Sequence, residues 1–245
     1  MLIGIRNTTV ANTGAAQGTG DVGITTNVPA ETVDGDVMYY GIHGASSTGV
    51  YVTPAGWDVV EAMFNSTGQA SSKMALYRKV ASSEPASHTI TWGAAGSTGR
   101  IAAIMVSLFG VNTVTPQQDE AKDPGAGPTS TEVLPSVTPT IDTMILGFVG
   151  SYTPSFSAVT WTPDAAMIEQ TETSSFHASA SNASMQLSTQ LVSAGATGTR
   201  TATGSLADLR PCGIMVALNP AVIIPVTIPP ITAPVTAGRG WGRTR

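Results

Sequence analysis

The sequence predicts an all-β protein, an antiparallel sandwich of jelly-roll type. Of its 245 residues, 26 are Gly and 16 are Pro, and these residues end regular structure too often for long helices. Runs of β-branched or alternating apolar residues recur at short spacing, and each run closes at Gly, Pro, Asp or Ser. These two observations favour many short strands, joined by turns and packed as two sheets.

Ten main strands are predicted, five in each half of the chain. Those of the first half are Asp36–His43, Trp57–Asn65, Lys73–Val80, His88–Trp92 and Arg100–Val111. Those of the second half are Thr143–Ser151, Ala166–Thr173, Ser184–Ser193, Thr197–Thr203 and Cys212–Leu218. Between the two sets, the segment Asp119–Pro128 is polar and rich in Pro and Gly, which predicts a solvated connector.

The two sets of strands match in order, which indicates a diverged internal duplication. The clearest match is the pattern R-x-x-x-I-M-V-x-L, found at Arg100–Leu108 and again at Arg210–Leu218. Three further matches are Asp36-Val37-Met38 with Asp142-Thr143-Met144, Trp57 with Trp161, and Met74-x-Leu76 with Met185-x-Leu187.

The halves could fold as two small sandwiches or interleave into one. One sandwich is favoured, because five strands with few aromatic residues would bury only a small core alone. The predicted organisation is an N-terminal extension over residues 1–33, a sandwich over 34–219 built from halves 34–115 and 129–219, and a C-terminal arm over 220–245.

The arm is expected to be extended. Pro220, Pro225, Pro229, Pro230 and Pro234 interrupt an apolar run, and neither a helix nor a sheet interior accepts prolines at that density. Burying each apolar side chain gains about 1.5–3 kcal/mol, so the arm should lie against this body or a neighbouring subunit. The residues expected to bind a partner are Val222, Ile224, Ile228, Ile231, Trp241, Arg239, Arg243 and Arg245.

Charge and hydropathy exclude several partners. Eleven Lys and Arg against sixteen Asp and Glu give a net charge of -5, which disfavours nucleic acid. Without the three terminal Arg residues the remainder carries eight basic and sixteen acidic residues, or -8. A basic tail on an acidic body suits contact between copies, although the Arg residues could equally solubilise a loose terminus. No membrane insertion is expected, because the longest apolar stretch, Ile101–Val111, is too short to span a bilayer, and Met1–Ile5 lacks the features of a signal peptide.

No arrangement typical of an enzyme stands out, and neither a metal nor a cofactor is expected. His43, His88 and His177 lie far apart, and no G-x-S-x-G elbow is present. The lone Cys212 is expected to be a small core residue. The pair Glu169 and Glu172 is expected to point to opposite faces of a strand.

Two further motifs have simple structural interpretations. Gly18–Gly23 matches the G-x-G-x-x-G pattern, but Pro29 and β-branched residues follow it rather than a helix, so a loop is favoured. Asp34-Gly35-Asp36 offers too few oxygen ligands for Ca²⁺, so a turn that leads into a strand is favoured.

Three tryptophans could stack on a sugar. Trp57, Trp92 and Trp161 each adjoin a predicted strand, and together they could form a glycan-stacking surface. The favoured interpretation is structural, with the large rings filling the ends of the sandwich core. Trp241 lies among Gly and Arg in the arm and is expected to anchor it in a pocket on a partner.

Several short motifs follow one another in the first half: Asp34-Gly35-Asp36-Val37-Met38, Pro54-Ala55-Gly56-Trp57, Leu76-Tyr77-Arg78-Lys79-Val80, Glu84-Pro85, His88-Thr89-Ile90-Thr91-Trp92 and Ile104 to Asn112. This succession resembles a module of tailed-bacteriophage virion proteins, commonly minor tail or tail-tip components of phages that infect actinobacteria. The resemblance covers residues 34–112 well and the second half loosely, where the P-A-G-W turn and the Tyr-Arg strand are missing. It implies a β-sandwich within a virion assembly and carries no catalytic residues.

The sequence thus predicts a structural virion protein, made in the host cytoplasm and placed in the tail rather than the head. Its expected partners are other virion proteins and copies of itself in a homo-oligomer. Two alternatives stay open. One is a capsid decoration protein of the head, and the other is a carbohydrate-binding module that recognises a glycan of the host surface during attachment.

Overall fold

The computed structural model describes residues 3–12, 22–45, 49–93, 100–155, 157–175 and 182–222. These residues form sixteen strands and no helix. The first eight strands form the N-terminal unit: β1 (Gly4–Asn12), β2 (Val22–Asn27), β3 (Val37–Ala45), β4 (Val50–Val52), β5 (Asp58–Ser66), β6 (Gln69–Val80), β7 (Ser87–Gly93) and β8 (Arg100–Phe109). The other eight form the C-terminal unit: β9 (Gln117–Asp123), β10 (Thr131–Leu134), β11 (Thr143–Thr153), β12 (Trp161–Thr162), β13 (Ile168–Ser174), β14 (Asn182–Val192), β15 (Arg200–Gly204) and β16 (Arg210–Leu218).

Each unit pairs a five-stranded inner sheet with a three-stranded outer sheet. The N-terminal sheets have the orders β1-β8-β3-β6-β5 and β2-β7-β4, and the C-terminal sheets have the orders β9-β16-β11-β14-β13 and β10-β15-β12. All the ladders are antiparallel. In each unit the first strand pairs with the eighth, the second with the seventh and the third with the sixth, which is the pairing of a jelly roll. The predicted all-β, jelly-roll-like sandwich is therefore confirmed.

The two inner sheets pack face to face and form a core that joins the units. Tyr39, Leu76 and Ile104 of the N-terminal unit meet Phe148, Met185, Leu187 and Ile214 of the C-terminal unit in one buried cluster. Each outer sheet closes a second core against the other face of its own inner sheet. The molecule therefore has four sheet layers and three hydrophobic cores.

The units cross where β3 lies against β11. Gly41 pairs with Ile104 and Leu76, while Phe148 pairs with Ile214 and Leu187, so Gly41 and Phe148 hold equivalent positions. A Cβ built on Gly41 would lie 2.9 Å from Cδ1 of Phe148, and one built on Gly150 would lie 2.7 Å from Cδ2 of His43. Equivalent positions thus contact each other, as at a two-fold interface, and a glycine faces a ring in both contacts.

The predicted organisation needs three corrections. Within the described residues no sheet mixes strands of the two units, so the halves form two sandwiches rather than one interleaved sandwich. Residues 4–12 and 22–27, expected in an N-terminal extension, are β1 and β2 of the first unit. The first half of the expected connector, residues 119–123 of 119–128, belongs to strand β9. Both β1 and β9 are sheet edges whose side chains are only partly covered, so they need no apolar run.

The ladders also test the matched motifs of the two halves. The R-x-x-x-I-M-V-x-L and Met-x-Leu matches agree with the register, whereas Val37 aligns with Met144 and so shifts the Asp-x-Met match by one residue. The match of Trp57 with Trp161 is wrong. Trp57 N–H closes a turn on the carbonyl of Pro54 just before β5, and Met167 N–H closes the same turn on Asp164 just before β13. The two units share a topology, and their common descent stays a prediction.

Candidate functional site

The C-terminal arm leaves the body beside the end of β8. Asn112 N–H donates to the carbonyl of Asn219 at 2.7 Å, and Ala221 N–H donates to Gly110 at 2.8 Å. Val222 then stands 79% exposed. We call Asn219–Val222 the arm root. The other residues predicted to bind a partner lie outside the described residues: Ile224, Ile228, Ile231, Arg239, Trp241, Arg243 and Arg245.

A groove of about 800 Å³ opens at the same end of the molecule. We call it the end groove, and its walls are Ile3 from the N-terminal unit and the segments Thr140–Met144 and Leu191–Ala194 from the C-terminal unit. Its lining includes unusually exposed apolar side chains, since Leu191 is 71% and Ile141 is 47% exposed. Isolated exposed apolar residues are ordinary, but two of them in one concave surface make this groove a candidate binding site.

The arm root and the end groove share structural neighbours. Thr143 in the groove wall donates its hydroxyl to the carbonyl of Leu218, the residue that precedes the arm root. Ile3 on the other wall precedes Gly4, whose ladder partner is Phe109, and Phe109 is followed by the root's acceptor Gly110. The ends of both inner sheets therefore hold the root beside the groove.

The end groove is not predicted from the sequence. Leu191 lies within the predicted strand Ser184–Ser193, and Ile141 lies just before the predicted strand Thr143–Ser151. No local pattern marks a groove whose walls come from opposite ends of the chain.

Two of the three tryptophans proposed for glycan stacking are buried. Trp57 is 6% exposed in the N-terminal outer core, where its ring packs at 5.5 Å from that of Tyr40. Trp161 is 3% exposed in the C-terminal outer core, and its indole N–H donates to Ser184 Oγ at 3.0 Å. Neither ring can stack on a sugar, because both faces are covered. Trp92 lies in β7, and its side chain is outside the described part of the chain.

A chain of polar contacts anchors Trp57. Its indole N–H donates to Nδ1 of His88 at 3.4 Å, and Nε2 of His88 lies 2.7 Å from the Glu84 carboxylate, which also accepts from Lys79. Although burial alone would raise it, the pKa of Glu84 is lowered, because Lys79, the Ser82 N–H and His88 all donate to it. These side chains satisfy one another, which fits a structural role.

The structure corrects the prediction for Glu169 and Glu172. A β-bulge between Glu169 and Thr171 shifts the alternation of β13, so both carboxylates lie on the same side. Glu169 accepts from Gln186 Nε2 at 3.3 Å, and Glu172 accepts from Trp161 N–H at 2.8 Å. Burial, and then the neighbouring Glu172 carboxylate, raise the pKa of Glu169.

The Asp34-Gly35-Asp36 segment is a turn, as predicted. Gly35 has φ of 90°, a conformation that favours glycine. Buried Asp36 accepts from Arg6 Nε at 3.1 Å and from the N–H of Val33 at 3.0 Å. Its carboxylate is therefore engaged in holding the turn against β1.

The titratable side chains buried inside the cores include His43, Glu132 and Cys212. His43 lies between the units, its Nε2 is 2.9 Å from Ser72 Oγ, and burial lowers its pKa to about 3. Burial, and then Asp123, raise the pKa of Glu132 to about 9. Cys212 is a buried core thiol, as predicted, and burial raises its pKa.

The arginines of the repeated motif differ between the units. Arg100 is fully buried, and its guanidinium has no hydrogen-bond partner among the described residues. Its counterpart Arg210 pairs with Asp208. At the position two residues before Arg100 the first half carries Thr98 instead of an acid. The acid that neutralises the second arginine is thus absent from the first repeat of the motif.

Comparisons with known proteins found no match to a family model, to a curated protein or to a solved structure. Within the described ranges, no group of three or more His, Cys, Asp or Glu side chains could hold a metal ion. No helix in the same part of the chain is long and apolar enough to cross a membrane.

Proposed function

We propose that this protein is a structural component of a bacteriophage virion, of the minor tail or tail-tip class, and that it assembles through its C-terminal arm. The observation that carries the proposal is the arm root, where Val222 leaves the body exposed and a Pro-interrupted apolar segment follows in the sequence. Such a segment gains about 1.5–3 kcal/mol for each large apolar side chain that it buries on a partner.

Three features support this role. The motifs that resemble phage tail proteins cover 34–112, and these residues hold β3 to β8 of the N-terminal jelly roll. Jelly rolls recur in virion and lectin domains, although a fold alone does not set function. The arm ends in three arginines on a chain whose remainder carries a net charge of -8, which suits contact between copies.

Deletion of residues 223–245 tests the role of the arm. The described side chains of all three cores lie between Ile3 and Leu218, so we expect the shortened protein to fold with an unchanged circular dichroism spectrum. We expect it to be missing from particles when it replaces the full-length protein during infection. A matched control replaces Arg239, Arg243 and Arg245 by Ala and keeps the apolar segment. Normal incorporation of the deleted protein would refute the role of the arm.

Localisation of the protein tests the tail assignment. Gold-labelled antibody against the folded body should mark the tail or its tip in electron micrographs of intact particles. Label over the head would replace the assignment with a capsid decoration protein. Absence from purified particles would refute the virion role altogether.

A further inference from the structure

We propose that the end groove seats the first residues of the chain's own arm, Ile223 and Ile224, before the arm continues to a neighbour. The inference deepens the proposed function and rests on it only for what the rest of the arm does. It concerns the isolated subunit, so it can fail while the virion role stands.

The course of the arm root delivers the chain to the groove. From Asn219 to Ala221 the backbone passes from Asn112 toward Gly110, so it runs back along the end of β8. Gly110 adjoins Phe109, the ladder partner of Gly4, and Ile3 of the groove wall comes next. Ala221 and this wall are thus separated by no more than about two strand spacings, roughly 10 Å. Three extended residues cover about 10 Å, which brings Ile224 to the groove.

The chemistry of the two surfaces agrees. The groove presents Ile3, Ile141, Met144 and Leu191, and the chain that leaves the root reads Val222-Ile223-Ile224. Three of the exposed large apolar side chains in the described residues, Ile141, Leu191 and Val222, lie in the groove or at the root. One seated segment would cover all three, which accounts for their clustering better than separate chance exposures do.

The tether favours the chain's own arm over that of a second copy. A segment held a few residues from its binding site has an effective concentration in the millimolar range. A second copy at micromolar concentration could displace it only by making contacts that the tethered segment does not make. The residues from Pro225 onward, with Trp241 and the terminal arginines, stay free to reach a neighbour.

Photocrosslinking tests the seat directly. A benzophenone amino acid replaces Leu191 in the full-length protein. In the control variant the same amino acid replaces Val52, a 53% exposed apolar residue on the outer sheet of the N-terminal unit. Both sites are exposed, so both proteins should fold. We expect the probe at 191 to link to residues 222–226 in a product of monomer mass, identified by mass spectrometry, and the probe at 52 to give no such product.

Two outcomes would overturn the inference. A product of dimer mass that maps to the same residues would assign the groove to the arm of a second copy. If the probe at 191 formed no crosslink to the arm, the arm would not occupy the groove. A second readout uses thermolysin, which cleaves before large apolar residues. Leu191→Asp should speed cleavage at Ile223 and Ile224 about tenfold or more relative to Val52→Asp, since it removes the apolar wall. Equal rates would also overturn the inference.

Discussion

The N-terminal and C-terminal units have the same strand order, yet their outer cores are built from different residues. The N-terminal core is aromatic, with Tyr40, Tyr51, Trp57 and Tyr77 between its sheets. The C-terminal core is mostly aliphatic, with Leu134, Val137, Val149, Val159 and Met167 around a single large ring, Trp161. The topology is therefore set by the pairing of strands, and it accepts more than one set of core side chains.

In the outer cores, a difference in side-chain size on one sheet is compensated by the opposite difference on the facing sheet. The two outer sheets can be aligned by treating the ladder pairs Tyr51–Trp92 and Trp161–Gly204 as equivalent. Thr26 of the N-terminal unit then corresponds to Leu134 of the C-terminal unit. The inner ladders align Tyr40 with Gly147. Thr26 and Tyr40 share a hydrogen bond of 2.7 Å between hydroxyls, whereas a Cβ on Gly147 would lie 2.8 Å from Leu134. The N-terminal unit thus fills the space between its sheets with Tyr40 of the inner sheet, and the C-terminal unit fills it with Leu134 of the outer sheet.

The C-terminal unit also buries an acidic side chain where the N-terminal unit has an apolar one. The same alignment places Glu132 where the N-terminal unit has Ile24, and both side chains are almost fully buried. Glu132 lies over Gly213, since a Cβ built there would stand 3.1 Å from Glu132 Oε1. That oxygen has no hydrogen-bond partner among the described atoms. At this position the C-terminal unit thus carries an electrostatic cost that the N-terminal unit avoids by having Ile24 there.

The largest loss of stability is expected from a substitution at the contact between β3 and β11, where the two units cross. Gly150→Val would drive new methyl groups into the His43 side chain, whose Cβ, Cγ and Cδ2 all lie within 2.8 Å of a Cβ at that site. Overpacking of a tight core costs about 3 kcal/mol at such a contact, measurable by urea unfolding. His43→Gly in the same protein should recover part of the loss, because it removes the opposing ring. Additive losses in the double variant would mean that the two positions do not meet.

A gain in stability is expected from Glu132→Gln. The folded acid has a pKa of about 9, but its unfolded counterpart titrates near 4.5, so at pH 7 folding must take up a proton. The neutral amide should therefore raise the free energy of unfolding by up to about 3 kcal/mol at pH 7. It should also abolish the loss of stability that we expect of the natural protein as pH rises from 4.5 to 9. A slope that persists in the variant would show that the folded carboxyl is ionised.

His43 should produce the opposite slope at acid pH. Its folded pKa is about 3 against 6.5 in the unfolded chain, so the unfolded state binds the additional proton between these values. Stability should fall by about 1.4 kcal/mol for each pH unit below 6.5 until about pH 3. His43→Gln should flatten this part of the profile, while the equivalent position in the other unit, Gly150, contributes nothing. The check is a series of urea unfolding curves from pH 7 to pH 4.

Sequence patterns predicted the interior of the fold and missed its borders. All ten predicted strands coincide with observed strands, and the six missed strands are β1, β2, β4, β9, β10 and β12. Each of the six lies at the edge of a sheet. These six strands are short or only half covered, so they lack the longer β-branched or apolar run by which the central strands and the edge strands β5 and β13 are recognised.

The candidate site was harder to predict, because it depends on how the units pack. Trp57 and Trp161 adjoin polar turns in the sequence, and only the outer sheets show that their rings are covered. The bulge in β13 moves Glu169 to the side of Glu172 against simple alternation. The end groove joins Ile3 to residues near 141 and 191, a contact that no local pattern carries.

The smallest loss of stability is expected at the pair of hydroxyl groups that distinguishes the N-terminal outer core. Tyr40→Phe should cost about 1 kcal/mol, because it leaves the buried hydroxyl of Thr26 without its partner. Thr26→Val alone should cost a similar amount, and the double variant should be more stable than the sum of the two losses predicts, since both polar groups are gone. The C-terminal unit already lacks this pair and packs Leu134 on Gly147 instead. If the two losses were strictly additive, the hydroxyls would be independent, and the compensation between layers would be a matter of volume alone.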